Sequence, residues 1–221
     1  MQSAPAVPPQ SEHPGFLGRR WRTSVAGFEL LLVMIAVMWL LQLINSLDSY
    51  RLDTAAGIYP RNFEHLWAIF TAPFLHASFG HLISNTIPFL FLGVIIALRG
   101  AVRLALITLV VVVVGGLGTW LFSPGGDTVG ASGVVFGYAT YLLTRGFFNR
   151  RLLEILTGLL VALIWGWVLL ASLVPQPHVS WEGHLCGAAG GVVAAWLLGR
   201  YDRARPPLPE PRSRRRLRAR I

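Results

Sequence analysis

The stretch AVRLALITLVVVVVGGLGTWL, residues 101–121, carries one charged side chain, Arg103, near its start. As an α-helix at about 1.5 Å per residue it would be about 30 Å long, the thickness of a bilayer's hydrocarbon core. Five more apolar runs accompany it: Val25–Leu47, His81–Leu98, Ser132–Phe147, Leu152–Val174 and Gly183–Leu198. The whole chain is 54% hydrophobic and only 13% charged, with a mean hydropathy of +0.57. A soluble domain would not carry so many such runs. The composition therefore predicts an all-α polytopic membrane protein of six transmembrane helices.

Charge placement gives the expected orientation. Every basic residue is an arginine, and the net charge is +9. With both termini cytoplasmic, all arginines except Arg51 and Arg61 fall on the inner side, as the positive-inside rule requires. This predicts a disordered cytoplasmic segment over 1–23, a membrane domain over 24–200 and a basic, Pro/Arg-rich cytoplasmic tail over 201–221. Arginines at the edge of a membrane meet anionic lipid, so the tail reads as a lipid-surface anchor and not as a nucleic-acid site. Residues 1–15 lack the basic-then-apolar order of a signal peptide, so the first apolar run is expected to be a retained helix. The single cysteine, Cys186, excludes an internal disulfide. No internal repeat supports an inverted-repeat transporter. The long connection 48–80 mixes Tyr50, Tyr59, Phe63, Trp67 and Phe70 with polar residues, as suits a segment in the headgroup layer.

Four polar residues interrupt the spans in their outer halves: His81 and Asn85 on span 2, Ser132 on span 4 and His184 on span 6. Such residues are costly in a membrane and ask for a reason. His81 and Asn85 lie four apart on one helix face. Gly133 and Gly137 form a small-xxx-small pair beside Ser132, while Gly183, Gly187 and Gly191 repeat at four-residue spacing around His184. Small residues let helices approach closely, which a serine and an imidazole must do to exchange a proton. A serine opening a helix also sits beside unpaired N–H groups, with Asn85 and His81 as further donors for an oxyanion. Phe136, one turn after Ser132, fits either the core or a place against the His184 ring.

Taken singly, Gly-Ala-Ser-Gly is ordinary helix packing and a lone membrane histidine is a packing or transport-path group. Other hydrolytic chemistries lack their residues. No His-Glu-x-x-His exists for zinc, and His76 and His81 are five apart, off a common face. The only carboxylates within spans, Glu29 and Glu154, lie near cytoplasmic ends. No metal or cofactor is implied. Asp127 and Glu182 are the acids nearest the site, and neither is placed to complete a triad, so a Ser132/His184 dyad is expected.

Together these residues resemble the rhomboid family of intramembrane serine proteases. The resemblance runs from Trp67 to Gly191 through His76-x4-His81-x3-Asn85, Gly130-x-Ser132-Gly133 and Gly183-His184-x2-Gly187-x3-Gly191. It implies the basic bacterial six-span bundle in a plasma membrane, with its active site toward the outer side. By resemblance Ser132 is the nucleophile and His184 the general base. His81, Asn85 and the Ser132 N–H form the oxyanion hole, while Gly130, Gly133, Phe136, His76 and Gly187 support the site. Substrates would be membrane proteins cleaved in or beside a transmembrane segment, reached laterally and partly unwound. One departure is that Trp67 precedes Ala68 where the family usually has arginine, which bears on loop rigidity more than on chemistry. The rival expectations are an inactive rhomboid-like protein that binds or chaperones membrane clients, and a small channel or transporter.

Overall fold

The structure is a computed structural model and describes residues 16–176 and 179–204. Among the described residues the chain is all-helical: α1 (Phe16–Leu47), α2 (Arg51–Ala56), α3 (Phe79–Ala97), α4 (Ala101–Phe122), α5 (Ser132–Asn149), α6 (Leu152–Ala171) and α7 (Trp181–Ala204). Two 3-10 turns, Leu66–Ile69 and Ala72–Phe74, sit in the α2–α3 connection. Of the six expected spans, four contain a stretch long and apolar enough to cross a bilayer unaided: Trp21–Leu47, Phe79–Ala97, Ala101–Phe122 and Leu152–Ala171. The other two, α5 and α7, fall short because they hold the glycines and polar residues. For α5 the reason is enclosure: residues from Val134 through Gly146 are buried around most of the helix. A helix wrapped by other helices needs no apolar surface for lipid.

Both ends of the helical domain extend beyond expectation. α1 begins at Phe16, so residues 16–23 are helical where disorder was expected; no proline interrupts the run to Leu47. α7 continues through residues 201–204, where the sequence predicts the start of the tail. There Asp202 accepts from Arg103 of α4 at 2.6 Å, tying the last turn to the bundle. Residues 1–15 and the lipid-anchor expectation for 205–221 lie outside the described residues.

The core gathers around α5. Leu82, Phe89, Leu92 and Ile96 of α3, Leu104 and Ile107 of α4, Tyr138 and Leu142 of α5 and Ala194 of α7 are fully buried together. The Tyr138 hydroxyl pairs with Thr108 Oγ1 at 2.6 Å, so its polar end is satisfied inside an apolar cluster. α5 packs most extensively against α7, and α4 next against α7.

The 48–78 connection is a folded lid. Ile58, Ala68, Ile69 and Ala72 bury against Leu66 and Trp120. Arg61 Nη1 donates to the carbonyls of Leu121 (3.1 Å) and Ser123 (2.8 Å) at the open end of α4. Those carbonyls have no helical partner, and a cation at a helix C-terminus also suits the dipole. Phe63, Trp67 and Phe70 remain exposed, as expected of a segment at a membrane interface.

Candidate active site

The turn before Ser132 is held from outside by the lid. Ile58 and Thr128 exchange two backbone hydrogen bonds of 3.0 Å, and Gly130 N donates to the Ala72 carbonyl at 2.9 Å. Ala131 N donates to His76 Nε2 at 3.3 Å. His76 is fully buried, and burial, reinforced by His81, pushes its imidazole down to about 3. It is therefore neutral at physiological pH, with Nε2 a standing acceptor. Gly130 has φ +123°, a conformation open to glycine and strained for other residues. A Cβ there would lie 2.7 Å from His81 Cε1 and 2.9 Å from its Nε2. The glycine of the expected motif thus makes room for a histidine.

Ser132 is the first residue of α5, and the first bond of that helix runs from Val135 N to the Ala131 carbonyl at 3.0 Å. The N–H groups of Ser132, Gly133 and Val134 consequently lack helical acceptors and bring the positive end of the helix dipole to the serine. On α3, Ser78 caps the helix by accepting from His81 N at 3.1 Å, which fixes the turn that presents His81. Asn85 follows one turn later. It is only 5% exposed, and its Nδ2 has no hydrogen-bond partner among the described residues. A buried amide donor without an acceptor is costly, and here it lines the same cavity as Ser132.

His184 stands in the first turn of α7, where Ser180 Oγ accepts from Gly183 N at 3.2 Å. The His184 Nδ1–H donates to the Ser172 carbonyl at 2.8 Å, at the C-terminal end of α6. A carbonyl only accepts, so this bond selects the tautomer that leaves Nε2 unprotonated and free to act as a base. Phe136 stacks on the imidazole, with centroids 4.4 Å apart and planes inclined by 8°. Of the two places expected for Phe136, it takes the one on the histidine. Among the described residues no hydrogen bond joins Ser132 to His184, although both line one cavity of about 440 Å³ with His81, Asn85 and Gly130. Unliganded sites often hold such pairs apart until substrate binds.

The distance between α5 and α7 is set by a glycine seam. A Cβ on Gly133 would stand 3.3 Å from the Gly183 carbonyl oxygen. One built on Gly187 would overlap the Gly133 carbonyl, and one on Gly191 the Gly137 carbonyl. Thr140 Oγ1 crosses the same seam to the Ala188 carbonyl at 2.7 Å. A second cavity, of about 670 Å³, shares His81 and Ser180 with the first and reaches Asp53, Asp127 and Glu182, giving the site a polar approach.

All nine residues expected at the site, from His76 to Gly187, are thus gathered within the turn, the seam and the cavity. The orienting group for His184 was not foreseen, because a backbone carbonyl leaves no mark in sequence. The caps Ser78 and Ser180 were legible, as each is a serine just ahead of a helix. Ala68 is fully buried in the lid, and the cation that braces this lid is Arg61. Among the described residues no three His, Cys, Asp or Glu side chains are grouped as metal ligands.

A family model described as the Rhomboid domain matches residues 64–201. An uncharacterized protein of Mycobacterium leprae is 42% identical over 201 residues, covering 87% of this chain and 79% of the relative. One of Mycobacterium tuberculosis is 41% identical over 193 residues, covering 83% and 79%. A Bacillus subtilis protein, provisionally named a rhomboid protease, is 27% identical over 179 residues, covering 76% and 85%.

Proposed function

Since the chain belongs to the rhomboid family, we propose that it is an intramembrane serine endopeptidase working through Ser132 and His184. The observation that carries this reading is the shared cavity: a helix-opening serine, a histidine of fixed tautomer and a buried Asn85 Nδ2 lacking an acceptor. In the reaction, Ser132 Oγ attacks the scissile carbonyl carbon while His184 Nε2 takes the hydroxyl proton. The oxyanion is received by Asn85 Nδ2, the Ser132 N–H and His81. His184 then protonates the leaving amine, and water activated by the same nitrogen hydrolyses the acyl-serine. The Ser172 carbonyl and Phe136 hold the imidazole while it changes charge.

Substrates are membrane proteins with a transmembrane segment, cleaved within or beside it after partial unwinding exposes a carbonyl. α5 and α7 complete a six-span bundle with both termini cytoplasmic and the cavity toward the outer face of a bacterial plasma membrane. The arginine distribution and the mycobacterial relatives support that placement. The test uses purified protein, a fluorophosphonate probe and a model transmembrane substrate. Labelling and cleavage are expected in the wild type and absent in Ser132→Ala and His184→Ala. Ser132→Ala cleaving at the wild-type rate refutes the proposal. Client binding without labelling of wild type would indicate an inactive rhomboid-like protein, and ion flux in liposomes that survives Ser132→Ala a conducting one.

A further inference from the structure

At the end of the bundle away from Ser132, the turn after α3, the end of α5 and the start of α6 bring Arg99, Arg145, Arg151 and Glu154 together. Arg99 Nη1 lies 3.1 Å from Glu154 Oε1, and Arg151 Nη1 3.8 Å from the same oxygen. Asn149 Nδ2 donates to Glu154 Oε2 at 2.6 Å. One carboxylate therefore already serves two guanidiniums and an amide. Arg103, in the first turn of α4, is engaged by Asp202.

Arg145 is less completely served. It is 6% exposed and takes part in no ion pair among the described residues. Its Nε and Nη1 are shut off from water without a hydrogen-bond partner there. Tyr141 engages the Arg145 side chain, its ring 5.8 Å from Cζ, and Glu154 attracts it at longer range, yet neither gives Nε or Nη1 an acceptor. A guanidinium cannot shed its proton, so a buried one calls for an anionic acceptor. Arg99, Arg145 and Arg151 around one glutamate leave an excess of positive charge. Beside this cluster Leu98, Leu152 and Leu153 are 57%, 69% and 79% exposed. Cations rimmed by bare leucines match an amphiphile whose anionic head lies next to its acyl chains.

We propose that this cluster is a binding site for the phosphate headgroup of an anionic phospholipid. Arg151 and Arg99 meet the headgroup at the surface, and Arg145 supplies the buried charge behind them. Basic pockets between helices on the cytoplasmic side of a membrane are suited to such headgroups. The site is separate from the arginine tail and does not depend on proteolysis; it rests on the proposed orientation of the bundle in a bilayer.

The test is native mass spectrometry of the delipidated full-length protein titrated with phosphatidylglycerol, phosphatidylcholine or inorganic phosphate. Arg145→Gln is the direct variant. Arg151→Gln, at a side chain 66% exposed, is a variant the fold tolerates. A third full-length variant replaces Arg212, Arg214, Arg215, Arg216, Arg218 and Arg220 with glutamine. Phosphatidylglycerol should be retained over phosphatidylcholine by the wild type, the tail variant and Ser132→Ala alike. Its binding should weaken about fivefold in Arg151→Gln, the effect of one arginine at a lipid surface. Equal retention of the two lipids overturns the proposal, as does a preference lost with the tail arginines and unchanged in Arg151→Gln and Arg145→Gln. Inorganic phosphate competing as well as the lipid, mole for mole, overturns it in favour of a free-anion site.

Discussion

Replacing Gly187 by alanine tests whether the α5–α7 seam sets the catalytic geometry. The added methyl would stand 2.7 Å from the Gly133 carbonyl carbon and 2.8 Å from its Cα, and would overlap the carbonyl oxygen. Ordinary carbon contacts are about 3.5–4.0 Å, so the helices must part by roughly 1 Å at this level. Alanine intrinsically favours a helix interior over glycine by about 0.5–1 kcal/mol. Overpacking a close contact costs about 1–3 kcal/mol, so the net effect runs from about zero to a loss of about 2.5 kcal/mol. Activity should suffer more, because Gly133 follows Ser132 directly and Gly187 lies one turn from His184. A shift of about 1 Å between reacting groups lowers the rate by about a hundredfold. The assay is kcat/KM on a transmembrane substrate in proteoliposomes, beside thermal unfolding of the same preparations. Gly166→Ala on α6, where a Cβ meets nothing within 4 Å, is the control and should keep full activity. A folded Gly187→Ala enzyme that matches the control in kcat/KM refutes the seam as the element that sets the geometry.

Other perturbations separate the remaining parts. Asn85→Ala should lower kcat about 10²–10³-fold, as expected for loss of one oxyanion donor. Thermal stability should hold or rise, since an unpartnered buried amide is removed. Gly130→Ala combines a strained φ with a clash against His81; it should lower fluorophosphonate labelling sharply, read as the labelling rate on folded protein. Arg61→Gln removes the brace between the lid and α4, so hydrogen exchange should quicken across residues 58–72 while α5 and α7 stay protected. Burial, chiefly, raises the Asp53 carboxyl above its ordinary value, with the nearby Asp127 adding to the rise and the Asn45 hydrogen bond opposing it. A raised carboxyl favours the folded state in acid, and that advantage fades as pH climbs through the folded value. Asp53→Asn should therefore be at least as stable as wild type at neutral pH, with the difference shrinking on acidification. Thermal unfolding across that range shows it.

The membrane class, the helix positions and the polar residues set into the spans follow from composition, period and spacing, because these properties are local to the chain. An apolar run must find an apolar surrounding, and a glycine every fourth residue must present one small face. Even so, local reading placed the start of α1 too late, since arginine-rich residues ahead of an apolar run can extend its helix. It counts α5 and α7 among the spans, the first as a short one, although neither is among the helices apolar enough to cross a bilayer unaided. Whether a helix must itself be apolar depends on what encloses it, and that is a property of the assembled bundle.

Only the tertiary structure decided which groups finish the site. The carbonyl of Ser172 orients His184, the carbonyl of Ala72 and the ring of His76 hold the turn before Ser132, and Arg61 fastens the lid. Each is a contact between segments far apart in the chain, and most are made by backbone atoms that every residue carries. Sequence alone determined the kind of protein and singled out the side chains proposed to bear its chemistry. Which nitrogen of His184 is free, and how closely α7 approaches α5, were decided by packing.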